Sequence, residues 1–468
     1  MSYTVDQQQG FKEMPVGTDW VYTVDSSNAT GNYKFKYVID IFGGQIGITY
    51  LGQFKFSPNA SGKGIIKIDE ILSQYLNADN LGAVSSFFTC KFKGVSAVSD
   101  NEPPIHCIDK FSLNTNSVQR MKVRFGEEYS INSSDAPTIY QNIVEIDDLL
   151  SFNGVAYNNE DKYVSGNYGI DLTNWGDTGY KNYLPNSSTS YLLTDAPLIS
   201  QYIGSNDYGT LSFLTGDFSI GAATPSKITV NFYNGNSLLS TFSNDLSGNG
   251  GYDTGTDTGL VSADKHIQFV GVGLANFKNY GTTPPANTTR YTVALYDNTT
   301  IVSNIYEYIV TNDADCKGFE KIRITWLNKF GTWDYYNFTK KNTRTTGIKR
   351  TEFDKVKGNW YGDTFVKYGY GRGRTVLNSN AIETLSLNSD WFRSDEEAAW
   401  LEQLFISPEV YILKGYDAAD SAPAEYGNYM IPVIITNKSY DKYTEANDKV
   451  AQYNLDIEYA INKRIQRG

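Results

Sequence analysis

The chain has 468 residues, 40% of them hydrophobic and 20% charged, with a formal net charge of -12. That length exceeds what one ordinary core supports, so several domains are expected, and the apolar content excludes a wholly disordered chain. The negative balance argues against nucleic-acid binding by the protein as a whole, because a phosphate backbone would repel it.

Residues 33–41 alternate apolar and polar side chains, which predicts a half-buried strand turned by Gly43-Gly44. Residues 65–76 place Ile68, Ile71, Leu72, Tyr75 and Leu76 at helical spacing and predict a short helix. Residues 118–129 return to strand character. From 151 to 190, turn signals such as Asn153-Gly154, Ser165-Gly166-Asn167 and Gly176-Asp177 dominate. The Tyr residues and Trp175 there suggest an ordered excursion docked on another element.

Leu192 leads into a strand at 210–214. Further strands are expected at 228–233, 267–272, 291–296, 305–310 and 321–326, with a turn at Asn234-Gly235 and a Gly- and Asp-rich loop at 247–259. Beyond 351, Ser394 is a helix N-cap with Asp395, Glu396 and Glu397 in the first turn. Ser394 and Glu397 have capping-box spacing. Trp400, Leu401, Leu404 and Phe405 form the buried stripe, and Pro408 stops the helix. Strands follow at 410–413 and 430–436. In the closing strand Ala451, Tyr453, Leu455, Ile457, Tyr459 and Ile461 alternate with mostly polar residues. At about 11 residues it would exceed the usual strand of roughly 5–6.

The expected fold is mainly β and multidomain: an N-terminal β-sandwich with a short helix over 1–150, a loop-rich excursion over 151–195, a second sandwich over 196–350, and a small α+β domain over 351–468. Short strands at regular spacing suggest Ig-like or fibronectin-like sandwiches.

Signals for chemistry are weak. Tyr 36, Phe 24 and Trp 7 stand against His 2, a balance that favours contact over turnover. His106-Cys107 with Asp109 lacks the further ligands of a zinc site, and adjacent strand residues point to opposite faces. His266 stands alone. Cys90, Cys107 and Cys316 are odd in number and widely spaced, unlike a disulfide framework, although a Cys90–Cys107 bridge stays open. Asp253–Gly259 superficially matches a calcium loop but lacks spaced ligands and a terminal glutamate. The glycine spacing over 369–373 has no strand–loop–helix frame for phosphate. No catalytic residue, cofactor or metal site is singled out, so a non-enzymatic role is expected. The N-terminus carries no signal-peptide pattern, and no apolar run approaches a membrane span.

Charge is distributed unevenly. Between Lys340 and Arg374 lie ten basic residues, among them Lys340, Lys341, Arg344, Lys349, Arg350, Arg372 and Arg374, opposed by Glu352, Asp354 and Asp363. The segment is net +7, which leaves -19 for the rest of the chain. Basic outer strand faces explain it; so does a complementary patch that orients neighbouring subunits. Aromatics in excess of core needs, in 151–190 and around the basic segment, mark where partner surfaces are expected.

Residues 322–338, Ile-Arg-Ile-Thr-Trp-Leu-Asn-Lys-Phe-Gly-Thr-Trp-Asp-Tyr-Tyr-Asn-Phe, read as a strand, an Asn-Lys-Phe-Gly turn and a return strand anchored by Trp326, Trp333 and Phe338. This hairpin resembles one in virion structural proteins of tailed bacteriophages, especially those of Bacteroidota, marine and crAss-like phages. Shorter similarities lie at 32–41, at 125–129, at Leu193-Thr194-Asp195-Ala196-Pro197 and from Pro408 to the final strand. The resemblance implies a virion subunit of the tail, baseplate or collar, whose partners are other copies of itself and other virion proteins. It carries no catalytic residue. The alternatives are an adhesin that binds host surface glycans through exposed Tyr and Trp, and a tail-associated glycosidase.

Overall fold

The computed structural model describes residues 3–8, 13–17, 20–44, 48–78, 117–155, 183, 185–199, 201–214, 225–245, 267–279, 282–311, 319–360, 362–371, 373–392, 394–414, 430–440, 452–461 and 463–467. They group into two compact units. One takes the described residues up to Thr311 together with Leu327–Asp334; the other takes those of 312–326, 335–414 and 427–468.

The first unit opens with β1 (Tyr3–Gln7), β2 (Glu13–Pro15), β3 (Val21–Ser26), β4 (Tyr33–Gly44), β5 (Thr49–Phe56) and β6 (Gly64–Lys67). Helix α1 (Asp69–Ser73) and the long hairpin of β7 (Val118–Ser130) and β8 (Thr138–Phe152) follow. They make a three-stranded sheet, β1-β3-β6, and a five-stranded sheet, β2-β8-β7-β4-β5. The sheets meet through rings: Tyr22 of β3 lies edge-on to Phe125 of β7, centroids 5.1 Å apart, and both are fully buried. Glu127, 4% exposed, accepts hydrogen bonds from Ser26 Oγ and Asn28 Nδ2, each at 2.6 Å, so this buried carboxylate has polar company.

The expected helix over 65–76 is mostly replaced. Ile65 and Ile66 pair with β3 as part of β6, and α1 is a single turn without a side-chain cap. Two β-branched residues beside a glycine suit a strand edge better than a helix start. In β4 the alternation fails from Tyr37 to Ile41, where every residue is buried; Asp40 is matched there by Gln53 Nε2 at 2.8 Å.

The first unit continues with β9 (Gln201–Gly204), β10 (Thr210–Leu214), β11 (Lys227–Asn234), β12 (Ser237–Asp245) and β13 (Ile267–Gly271). Helix α2 (Leu274–Asn279), β14 (Arg290–Asp297), β15 (Thr300–Ile301) and β16 (Tyr306–Thr311) complete it. The larger sheet runs β12-β11-β14-β16-β9, with β15 on β14, and β10 pairs β13 separately. Alternate residues Ile228, Val230 and Phe232 of β11 enter a core with Tyr291, Val293, Phe213 and Phe277. Gly235, at φ +56, supplies the left-handed residue of the β11–β12 turn.

The second unit contains most of β17 (Ile322–Leu327) and of β18 (Trp333–Phe338), with β19 (Asn342–Asp354) and β20 (Arg374–Asn388). Then come α3 (Asp395–Ile406), β21 (Val410–Leu413), β22 (Met430–Ile435), β23 (Asn454–Tyr459) and β24 (Lys463–Arg467). Their sheet runs β18-β17-β21-β22-β23-β20-β19, with β24 also on β20. Strand β19 thus runs through residue 351, and β17 pairs with β21.

Ser394 caps α3 by accepting from the Glu397 N–H at 3.1 Å, and Ala398, Trp400, Leu401 and Leu404 are its buried residues. The closing strand is shorter than expected. It ends at Tyr459, Ile461 is 78% exposed, and the chain re-enters the sheet as β24. The fold is therefore β-rich, built from several sheets, and antiparallel except for β9–β16 and β2–β8 among the described pairings.

Candidate assembly surface

The β17–β18 turn is the most densely hydrogen-bonded part of the predicted site. Asn328 Oδ1 accepts from the N–H of Phe330 at 3.0 Å and of Thr332 at 3.1 Å, which closes the turn with a side chain. Gly331 sits at φ +74, and a Cβ there would lie 1.8 Å from the Asn153 carbonyl oxygen. The turn belongs to the first unit. Asn328 Nδ2 and Thr332 Oγ1 both donate to Leu193 O, Thr194 Oγ1 donates to Asp334 at 2.5 Å, and Lys329 pairs with Asp195 at 2.8 Å. Parts of two sequence phrases singled out above, 322–338 and 193–197, therefore meet in one largely buried polar junction.

The three hairpin anchors are interior. Trp326 is fully buried with its ring 5.4 Å from Trp400; Trp333 is 2% exposed; Phe338 is 1% exposed and packs edge-on to Tyr336. None of them offers a surface.

The basic segment forms an arm. β19 and β20 pair from Asn342↔Leu387 out to Asp354↔Arg374, with a bulge between Thr351 and Glu352. Thirteen residues at about 3.4 Å each make a ribbon of roughly 40–45 Å. Its root is backed by β23 along Thr384–Asn388 and then by β24 between Asn378 and Ala381. Beyond Leu377, among the described residues, no third strand pairs with these two. From Thr343 to Asp354 every residue of β19 is exposed. Threonines, arginines and lysines make up much of the exposed β19 surface, yet Ile348, Phe353 and Leu377 also face solvent.

The connecting loop has its own local order. The Asn359 N–H donates to Val366 O at 2.9 Å, that of Lys355 to Gly373 O at 2.6 Å, and that of Gly371 to Tyr368 O at 3.0 Å. Trp360 meets Phe365 edge-on at 5.3 Å, and Tyr368 stacks on Tyr370 at 5.2 Å. Gly358, at φ +89, leaves room for the Phe365 ring, which a Cβ would meet at 2.4 Å. Even so, Trp360 is 70% and Tyr370 81% exposed. Large rings held in fixed positions but left in water are the composition of an interface core.

The seven expected patch residues divide. Lys340 pairs with Asp390 at 2.7 Å, Arg344 with Glu320 and Glu383 at 3.3 Å, and Arg374 with Glu352 at 2.5 Å. Lys341 is exposed beside them. Lys349 and Arg350 lie mid-arm on opposite faces, exposed and without an ion-pair partner among the described residues. Arg372 lies outside the described residues, as do Cys90, His106, Cys107, Asp109, Trp175, Asp253–Gly259, His266 and Cys316. Sequence reasoning located the basic segment but not its hairpin. Strand β19 shows no hydrophobic period, because neither of its faces is buried. The dense Trp, Phe and Tyr of 360–370 beside lysines were the available signal.

No group of three or more His, Cys, Asp or Glu side chains suited to a metal occurs among the described residues, and no described helix is long and apolar enough to cross a membrane. No protein-family model matches the chain. No curated protein matches it. Among solved structures, one match is described as "Tail of empty GTA particle computed with helical refinement, C6 symmetry", at 13% identity and a TM-score of 0.15, over 27% of this chain and 81% of that one. Similarity at that level carries no inference, and the chain's own surfaces bear the functional argument.

Proposed function

We propose that this protein is a non-enzymatic structural subunit that assembles with other proteins through the β19–β20 arm. The observation that carries the reading is the arm itself: β19 is exposed from Thr343 to Asp354, and from Leu377 to the ring-bearing tip no third described strand backs the pair. Ordering a residue's backbone costs about 1–2 kcal/mol, and a two-stranded hairpin is marginal in water. A partner surface that covers the tip supplies the missing burial.

The finer assignment is a bacteriophage virion, in the tail, baseplate or collar, supported by the sequence resemblance of 322–338 and its junction partner Leu193-Thr194-Asp195. Replacing residues 355–373 by a short Asn-Gly turn tests the role. Particles produced with this variant should lack the subunit by mass spectrometry, while its body keeps the wild-type melting temperature. Normal incorporation would remove the proposal.

A second reading is glycan recognition by the tip, favoured by the exposed faces of Trp360 and Tyr370. Binding on a glycan array that disappears in W360A would favour it over assembly.

A further inference from the structure

We infer that the open edge of β19 pairs, antiparallel and about a two-fold axis at Ile348, with the same edge of a second copy of this chain. The inference rests on the arm being an assembly contact and names the partner that its edge meets. Strand β19 ends the order of its sheet, and among the described residues no strand pairs with its outer side. The edge is 13 residues long, against a usual strand of roughly 5–6, and contains no proline. The one bulge adds Leu377 to β20: Thr351 faces Asn378 and Glu352 faces Val376, so the β19 backbone runs on without interruption. Short edge strands, prolines and bulges keep sheet edges apart, and this edge carries none of the three.

The strand is complementary to itself in one register. With Ile348 on the axis all 13 residues overlap, and Arg344 of each copy lies opposite Glu352 of the other. Ile348, 58% exposed in the single chain, meets its own counterpart, and Thr345 meets Thr351. Lys349 falls opposite Gly347, which has no side chain to crowd it, and Arg350 opposite Thr346.

The neighbouring registers fail on charge. An axis at Gly347 sets Arg344 opposite Arg350 twice, and an axis at Lys349 sets that lysine against itself. Like charges directly opposite destabilise a strand pair. Arg344 already pairs with Glu320 and Glu383, and Glu352 with Arg374, so the charges select the register and the main chain supplies the binding. A pairing of this length forms about 12–14 inter-strand hydrogen bonds. It also turns a two-stranded ribbon, the marginal form in water, into a four-stranded one.

The test uses the purified full chain. Wild type should sediment as a dimer at micromolar concentration. R344E and E352R each set like charges opposite one another across the axis, and each should weaken the dimer by about tenfold. An equimolar mixture of the two should restore wild-type affinity, because the reversed charges are then complementary between chains. In I348C the thiols meet on the axis, where opposed Cα atoms lie about 4.5–5.5 Å apart, a separation a disulfide can bridge. Mild oxidation should therefore link 348 to 348, read by peptide mass spectrometry. T346C, whose Cα atoms stand about 14 Å apart in this register, should not self-link. If R344E fails to fold beside Glu383, the two cysteine variants decide.

A monomeric wild type, folded single variants whose mixture stays weak, or T346C linking as readily as I348C would each overturn the inference. Replacing residues 355–373 by Asn-Gly leaves the β19 edge in place, so that variant should still dimerise. A monomeric wild type that needs the tip to enter particles would end the pairing and leave the structural role standing. A dimer that enters particles without the tip would end the tip's role and leave the pairing.

Discussion

Gly331 and Gly235 separate two reasons for glycine. Both have positive φ, but a Cβ at Gly235 meets nothing within 4 Å, whereas one at Gly331 strikes the Asn153 carbonyl oxygen. G235A should cost about 1–2 kcal/mol from its backbone alone. G331A should cost well above that in denaturant titration, because the buried junction must open. Trp326 offers a different contrast: its Nε1 is buried without a hydrogen-bond partner among the described residues. W326A should lose about 3–5 kcal/mol, and W326F distinctly less, since the orphan donor leaves with the indole. Tyr37 gives a pH signature. Burial, helped by the Asp25 carboxylate, pushes its phenol from 10.0 up to about 12. A raised pKa stabilises fully below the unfolded value, so stability of the first unit should fall as pH climbs from about 10 towards about 12. Melting temperatures across that window check it, and Y37F should flatten the fall; an unchanged slope would count against the assignment. The turn role of Asn328 was legible from Asn-Lys-Phe-Gly, but its bond to Leu193, 135 residues away, was not, because sequence spacing carries no long-range contact.

Elements with one buried face were the readable ones. α3 announced itself by Ser394, three acids and the Trp400-Leu401-Leu404 stripe, and its cap is as expected. S394A should cost about 1 kcal/mol by thermal melt. β10, β11 and β14 were likewise readable, since alternate or continuous apolar residues face the core. β19 was not, because a strand exposed on both faces has no period to detect. For the same reason the arm's tip contributes little to the fold. W360A and Y370A should each change stability by under about 0.5 kcal/mol, even though the two rings are among the largest exposed groups. A large loss of stability in either would mean that the tip packs on its own body.

At the scale of the molecule, composition gave the β-rich, multidomain character, because strands, turns and aromatics were plentiful. Sheet membership was less legible. The second unit's sheet joins strands from Ile322 to Arg467, and it includes distant pairings such as Arg323 opposite Leu413 and Asn378 opposite Arg467. Strand β19 of this sheet runs from Asn342 to Asp354. The aromatic excess divides as charge and burial suggest, with Trp326, Trp333 and Phe338 inside and Trp360 and Tyr370 outside on a basic arm. Hydrogen exchange, compared between dilute subunit and assembled material, tests the arm's role most directly. Amides of β19 from Asn342 to Asp354, and of the loop beyond, should exchange rapidly in the free chain and become protected on assembly. Protection that appears elsewhere on the molecule while the arm continues to exchange would contradict the account.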